Sequence, residues 1–440
     1  MSAIITSEFR LNTTSVFVDA LGTDSYYMGL GRPNNWTDEL NPDVPYENVY
    51  TTNTVWENMY AMKKLDSTDI TYTCPRNVWV SGQTYSEYDD RDSNLEGKQY
   101  YVISDNNNVY LCLKSGGVST KDPDIEGVTT SGVIDYTNAD GYIWKYLFTV
   151  PVDTGTKFLT ASFIPVVHLD TQPTPGSDTA LLNQWAVQQN TVDGAIYNVK
   201  IDNAGTGYTS APTVTIEGDG TNATATATVS GGVITDIEVT NIGSGYTKAI
   251  VTLSGGGGSN GSVRAVIGPK GGFGADPRVD LRTHYVIINK VFNGNEAGTI
   301  PSANDFRQIT LVKNPLEDGG SPAAANAYTV AHSLEVSLGS TFDPDDVIEG
   351  TVTGAKGFVV EYDSVNGIIK YVQNEDTGYT PFTTSDLIRL ETASTGGETC
   401  TAVVDPEVQH YSGDVVFVEN RTAVTRASDQ IETIRLVIEF

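Results

Sequence analysis

Four histidines are the first candidates for acid–base or metal chemistry: His168, His284, His332 and His410. Each stands alone in its local sequence, without a His, Asp or Glu partner at metal-ligand spacing, so each reads as a core or surface residue rather than a ligand. Carboxylates are more crowded. Glu87, Asp89, Asp90, Asp92 and Glu96 fall in one short stretch, and Asp343, Asp345 and Asp346 in another. Carboxylate clusters can hold Ca²⁺, but the spacing lacks the calcium-loop pattern with its central glycine. The expected state of both is a solvated acidic loop, with calcium as the alternative. Gly205 and Gly207, and again Gly243 and Gly245, make Gly-x-Gly motifs that open strands, so they are not nucleotide cradles. There is no Gly-x-Ser-x-Gly elbow and no phosphate-binding loop. A carboxylate pair assembled in space from 55 acidic residues would suit glycoside hydrolysis, which keeps a polysaccharide depolymerase as one alternative. The expectation is a protein that is not an enzyme, with no cofactor and no metal.

The 26 Lys and Arg residues against 55 Asp and Glu give a formal net charge of −29 over 440 residues. That balance argues against neutralising nucleic-acid phosphate and against anionic membranes. It favours a basic or metal-bearing partner, and equally a merely soluble acidic protein. Cys74, Cys112 and Cys400 are odd in number and far apart, which reads as buried free thiols rather than a disulfide framework. The first ten residues lack the features of a secretory signal, and no apolar run approaches the roughly 20 residues of a membrane span. With 43 glycines and abundant Thr, Asn and Val, the composition points to β structure with tight turns.

The elements that must carry these residues read mostly as strands. The stretch 140–148 opens with a turn at Asp140 and Gly141. Then Tyr142, Trp144, Tyr146 and Phe148 share one face at period two, with Ile143 and Leu147 on the other, interrupted only by Lys145. A strand apolar on both faces belongs in the middle of a covered sheet. Residues 15–18 and 26–31 read as short strands, and 38–45 as loop. The one convincing helix follows a cap at Thr51, Thr52 or Asn53 and carries Val55, Met59 and Met62 on one face, with Lys63 and Lys64 near its end. Residues 179–189 predict a short helix. Residues 100–103 and 109–113 form a hairpin around an Asn-rich turn. Further strands are expected at 284–288, 306–312, 414–418 and 432–440, with Glu419, Asn420 and Arg421 in a polar loop between the last two.

Two islands differ in texture. Residues 197–268 hold an internal repeat in which a strand, a Gly-x-Gly-Tyr turn and a second strand occur twice, with Tyr208 and Tyr246 as anchors. Residues 329–408 read as a second small β barrel or roll. The fold class is therefore mainly β. It comprises a β-sandwich-like core with one or few short helices, plus two inserted small all-β modules.

Several segments are similar, in order, to the baseplate wedge subunit of T4-like contractile-tailed bacteriophages, the gene product eight family. The resemblance runs through Phe9 and Arg10, Gly31 and Arg32 with Trp36, Trp56 with Met59, and Arg76 with Trp79. It continues through Asp140, Gly141, Tyr142, Trp144 and Tyr146, then Phe306, Arg307 and Gln308 with Asn314 and Pro315, and closes on Glu419, Asn420, Arg421 and residues 432–440. It covers 1–196, 269–328 and 409–440 as one discontinuous wedge core and leaves 197–268 and 329–408 as inserts. It implies an N-terminal strand around 6–10, a homodimer, and a structural place in the wedge beside the counterparts of gene products six, seven and ten. It also implies assembly in the host cytoplasm into the virion tail baseplate, without nucleic acid or membrane. The alternative is a virion surface module that binds host glycans through its inserts. Tyr208, Tyr246, Tyr362, Tyr371 and Tyr379 are its candidate contacts, although each also reads as a turn anchor or core residue.

Overall fold

The computed structural model describes residues 3–124, 127–174, 176–302 and 304–440. The protein is mainly β, with five α-helices among the described residues. It divides into two compact units: Met1–Ser15, Thr71–Ile287 and Val437–Phe440 form one, and Val16–Ile70 and Ile288–Leu436 the other.

In the first unit the Ile143–Thr149 strand lies between Asn108–Lys114 and Val133–Asp135 in a four-stranded sheet whose far edge is Tyr101–Ile103. Both faces are covered, as its composition requires. Tyr142, Trp144, Tyr146, Tyr85 and Val187 of the Thr179–Gln189 helix pack on one face, and Leu147, Leu111, Ile164 and Phe273 on the other. Phe148 departs from the expected alternation. The pairing slips between Val109 and Tyr110, so Val109 faces Phe148 while Tyr110 faces Tyr146, and this bulge turns Phe148 onto the Leu147 side.

The segment 198–266 forms the Asn198–Thr206/Ser259–Val266 pair and a four-stranded sheet made by Thr213–Gly218, Thr221–Ser230, Val233–Ser244 and Ala249–Ser254. The two sequence repeats have matching geometry. Gly205 and Gly243 sit at φ 65° and 60°, and Gly207 and Gly245 at 77° and 76°, values that a Cβ would strain. A Cβ on Gly258 would meet the Tyr208 ring at 2.4 Å, and one on Gly220 would meet the Tyr246 ring at the same distance. Each tyrosine thus lies flat on a glycine, Tyr208 on one later in the chain and Tyr246 on one earlier.

The second unit has a five-stranded sheet in the order Ala327–Thr329, Met59–Lys64, Tyr26–Gly31, Asp305–Lys313, Asp414–Thr425. It also has a closed six-stranded barrel within residues 332–404. Leu334, Ile348, Val359, Ile369, Tyr371 and Ile388 fill the barrel.

Four expectations are corrected. Residues 15–18, and residues 7–10 of the N-terminal strand implied at 6–10, belong to the Ser7–Ala20 helix. Thr6 Oγ1 accepts the Phe9 N–H at its start, and the hydroxyls of Thr13 and Thr14 bond back to Phe9 O and Arg10 O, which satisfies β-branched polar residues inside a helix. The Val49–Asn58 helix is capped by Asn48, whose side chain accepts from Thr51 N, and it stops before Met59. Met59–Lys64 is a strand held between Tyr26–Gly31 and Ala327–Thr329, with Met59, Tyr60, Ala61 and Met62 all buried. Full burial on both faces of a strand mimics the helical apolar spacing. Lastly, Glu419, Asn420 and Arg421 lie within the continuous Asp414–Thr425 strand rather than in a loop.

Gly258→Ala should destabilise the protein by about 1–3 kcal/mol through overpacking against Tyr208. Gly220→Ala should do the same against Tyr246. Urea denaturation checks both, and unchanged midpoints would show that the close tyrosine–glycine approach is dispensable.

Candidate functional site

In the second unit, three stretches far apart in sequence meet across the sheet. Gly31 is registered opposite Gln308, and Gln308 opposite Asn420. Gln308 Nε2 donates to Asn420 Oδ1 at 2.8 Å. Beside it Arg307, 3% exposed, spends its guanidinium on the preceding loop and on its own strand. Nε donates to Glu39 Oε1 at 2.9 Å, one terminal nitrogen to Pro33 O at 2.5 Å, and the other to Asn35 Oδ1 at 2.6 Å and Asp305 Oδ2 at 3.1 Å. The loop so fixed carries Trp36, whose indole N–H donates to Arg421 O at 2.9 Å and whose ring lies 3.8 Å beneath the Arg32 guanidinium. Arg421 itself pairs with Glu419 at 2.5 Å.

A cleft of about 540 Å³ opens on Gln308 and Asn420, with Arg32 and Trp36 in its lining. Its carboxylates are Asp43, Glu57, Glu375 and Asp376. Three are held by neighbours: Tyr50 Oη donates to Glu375 at 2.5 Å, Tyr379 Oη to Glu57 at 2.8 Å, and Asn34 Nδ2 to Asp376 at 3.1 Å. Burial lowers the pKa of Arg32, against the attraction of Asp376. The groups can bind and orient a ligand. Sequence reading missed Asp43, Tyr50, Glu57 and 374–376 as a group. The available signal was the run Leu40, Val44, Tyr46, Val49, Tyr50, which is apolar at a density unusual for a loop and helix start.

The other motif residues are placed separately. In the first unit Asp140 accepts the backbone N–H groups of Thr120 and Lys121, and Gly141, at φ 84°, packs against Gly116 where a Cβ would clash. Tyr142 stacks on Trp144 at 5.2 Å and donates to Gly117 O at 2.5 Å. Tyr146 Oη pairs with Thr149, and Trp79 donates to Ser119 Oγ. Phe9 is exposed, and Arg10 makes an exposed pair with Glu96 at 3.4 Å. In the second unit Trp56 and Phe306 are buried in the core. Asn314, at φ 51°, ties down Ser25 and Asp24, and Pro315 O accepts from Ala323.

The acidic stretch 87–96 is solvated only in part: Asp90 and Glu96 are exposed, whereas Asp89 and Glu87 are tied to cations. Asp89 is buried, accepting from Arg264 at 2.5 Å and Lys200 at 3.0 Å, and Glu87 takes Lys200 and Asn198. These partners belong to the repeat segment and hold Asp89 well below the usual carboxylate range despite its desolvation. The histidines are less isolated than in sequence: His168 lies 3.3 Å from Asp170, and His332 and His410 rings are 5.3 Å apart. Among the glycan candidates, Tyr208, Tyr246 and Tyr371 are buried, Tyr362 packs on Phe342, and Tyr379 is exposed.

Fold and site together describe a scaffold with a polar cleft. No family model matches the chain. It is 23% identical over 244 residues to the baseplate wedge protein gp8 of Enterobacteria phage T4, covering 45% of this chain and 70% of that protein. The relationship is distant.

Lys145 and Asp280 are both fully buried in the first unit. Burial pulls Lys145 down to about 8 and pushes Asp280 up to about 8, the latter opposed by a 2.8 Å bond from Gly274 N–H. A carboxyl with a raised folded pKa keeps its proton in the fold after the unfolded chain has lost it, so Asp280 costs stability increasingly from about pH 4 to about pH 8. Asp280→Asn should therefore leave the melting temperature nearly unchanged at pH 4 and raise it by several degrees at pH 8. A pH-independent difference would overturn this. Arg307→Lys cannot satisfy the four acceptors with a planar fork and should cost about 2–3 kcal/mol in chemical denaturation.

Proposed function

We propose that this chain is a structural component of a phage tail baseplate wedge that bridges neighbouring wedge proteins as a homodimer, without catalysis. The observation that carries the reading is the 23% identity over 244 residues with a baseplate wedge protein. The buried motif residues support it, because they stitch loops to sheets rather than converge on a reacting centre. On this reading the wedge core comprises 1–196, 269–328 and 409–440, and the inserts 197–268 and 329–408 add surface to it. The neighbours are the counterparts of gene products six, seven and ten, and the location is the virion tail. Burial of Tyr208, Tyr246 and Tyr371 weighs against the glycan alternative through the inserts.

Light scattering at low and high salt tests the dimer. The expected mass is twice 47.2 kDa at both salt concentrations, since an apolar two-fold interface is little screened. A monomer at micromolar concentration would overturn the bridging role.

A further inference from the structure

We infer that the cleft of the second unit and the apolar stretch at its mouth form one docking surface for a basic segment of a neighbouring protein, which inserts an arginine side chain among the cleft carboxylates. The inference rests on the assembly reading above and names the chemistry of the partner.

Three observations carry it. First, Leu40, Val44, Tyr46, Val49 and Tyr50 are between 57% and 83% exposed, and Val44, Tyr46 and Tyr50 line the cleft itself. Large apolar side chains concentrated in this way mark a surface that another molecule covers. Second, the cleft sets four carboxylates against the single cation Arg32, a formal 1 − 4 = −3. Third, Gln308 is 7% exposed, lines the cleft and has no partner for its Oε1. A buried acceptor without a donor is costly, and an N–H donor from an incoming side chain is what it lacks.

Arginine fits better than lysine. Its planar fork offers five donors, which suits carboxylates spread around a cleft together with an amide oxygen. Glu57, Glu375 and Asp376 are already oriented by Tyr379, Tyr50 and Asn34, so little side-chain freedom is lost on binding. An anionic ligand meets net repulsion here, and the chain's overall charge of −29 attracts a basic partner from a distance.

The test uses the full chain and the capped tripeptide Gly-Arg-Gly, with Gly-citrulline-Gly as its uncharged counterpart, in calorimetric titration at low salt. The arginine peptide should bind at least about tenfold more tightly than the citrulline peptide, since charge-assisted bonds are the stronger ones. Glu57→Gln with Asp376→Asn should lower its affinity by about tenfold at an unchanged melting temperature. Glu375→Gln serves as the second variant should the first pair fail to fold. Equal binding of the two peptides, full affinity in the folded variants, or capture of maltotriose in place of the arginine peptide would each overturn the inference. A monomer in light scattering that still binds the arginine peptide would sink the dimer and leave this surface standing; a dimer indifferent to the peptide would do the reverse.

Discussion

A buried guanidinium has to place all its donors, and this chain has few cations to place. Arg307 gives its nitrogens to Glu39, Pro33, Asn35 and Asp305, and Arg426, 1% exposed, gives its own to Glu432, Pro301 and Gly294. In the same unit Lys63 is held by Val291 O and Glu296, and Lys290 by Asp69. In the other unit Arg264 and Lys200 are committed to Asp89. A charge taken out of water without such partners would cost several kcal/mol, so removing one partner is far more damaging than adding a surface pair is helpful. With 26 cations for 55 anions, assigning these cations to interior work leaves the surplus of carboxylates on the outside.

Much of the fold was legible because period-two alternation and glycine turns are local signals. The hairpin at 101–114, the strand at 143–149 and the two Gly-x-Gly-Tyr turns were readable from spacing alone. What escaped has identifiable causes. In Ser7–Ala20, hydroxyls bonded back to the helix overrode the β propensity of Thr13, Thr14 and Val16. At Met59 the chain passes from helix to strand without a glycine or proline to mark the change, because burial on both sides needs the same apolar residues in either form. The bulge that turns Phe148 is a property of two paired strands, and one strand's sequence does not contain it.

The site was less legible than the fold. Single residues such as Trp36, Arg307 and Asn420 could be picked out, but their meeting depends on register. Gly31, Gln308 and Asn420 are brought side by side by antiparallel pairings that span nearly the whole chain, and a slip of one residue would send the Gln308 and Asn420 side chains to the opposite face. The cleft also needs Asn374, Glu375 and Asp376, which follow the barrel strand Ile368–Val372 and which nothing in their own sequence links to residue 43 or 57. Within the acidic stretch at 87–96, Asp89 and Glu87 failed in the opposite sense. These carboxylates looked free because Arg264 and Lys200, which bind Asp89, are more than a hundred positions away.

The division of charge bears on how such a protein finds its neighbours. Exposed carboxylates act at a distance but are screened beyond roughly 8 Å at physiological salt, so they raise encounter rates with basic surfaces without choosing among them. Choice requires groups held in fixed positions. The cleft supplies them, since three of its four carboxylates are oriented by tyrosine and asparagine donors and its mouth is apolar. A large net charge and a small organised cleft therefore do different work on one surface. The first governs how often a basic partner arrives, and the second governs which arrangement of that partner stays.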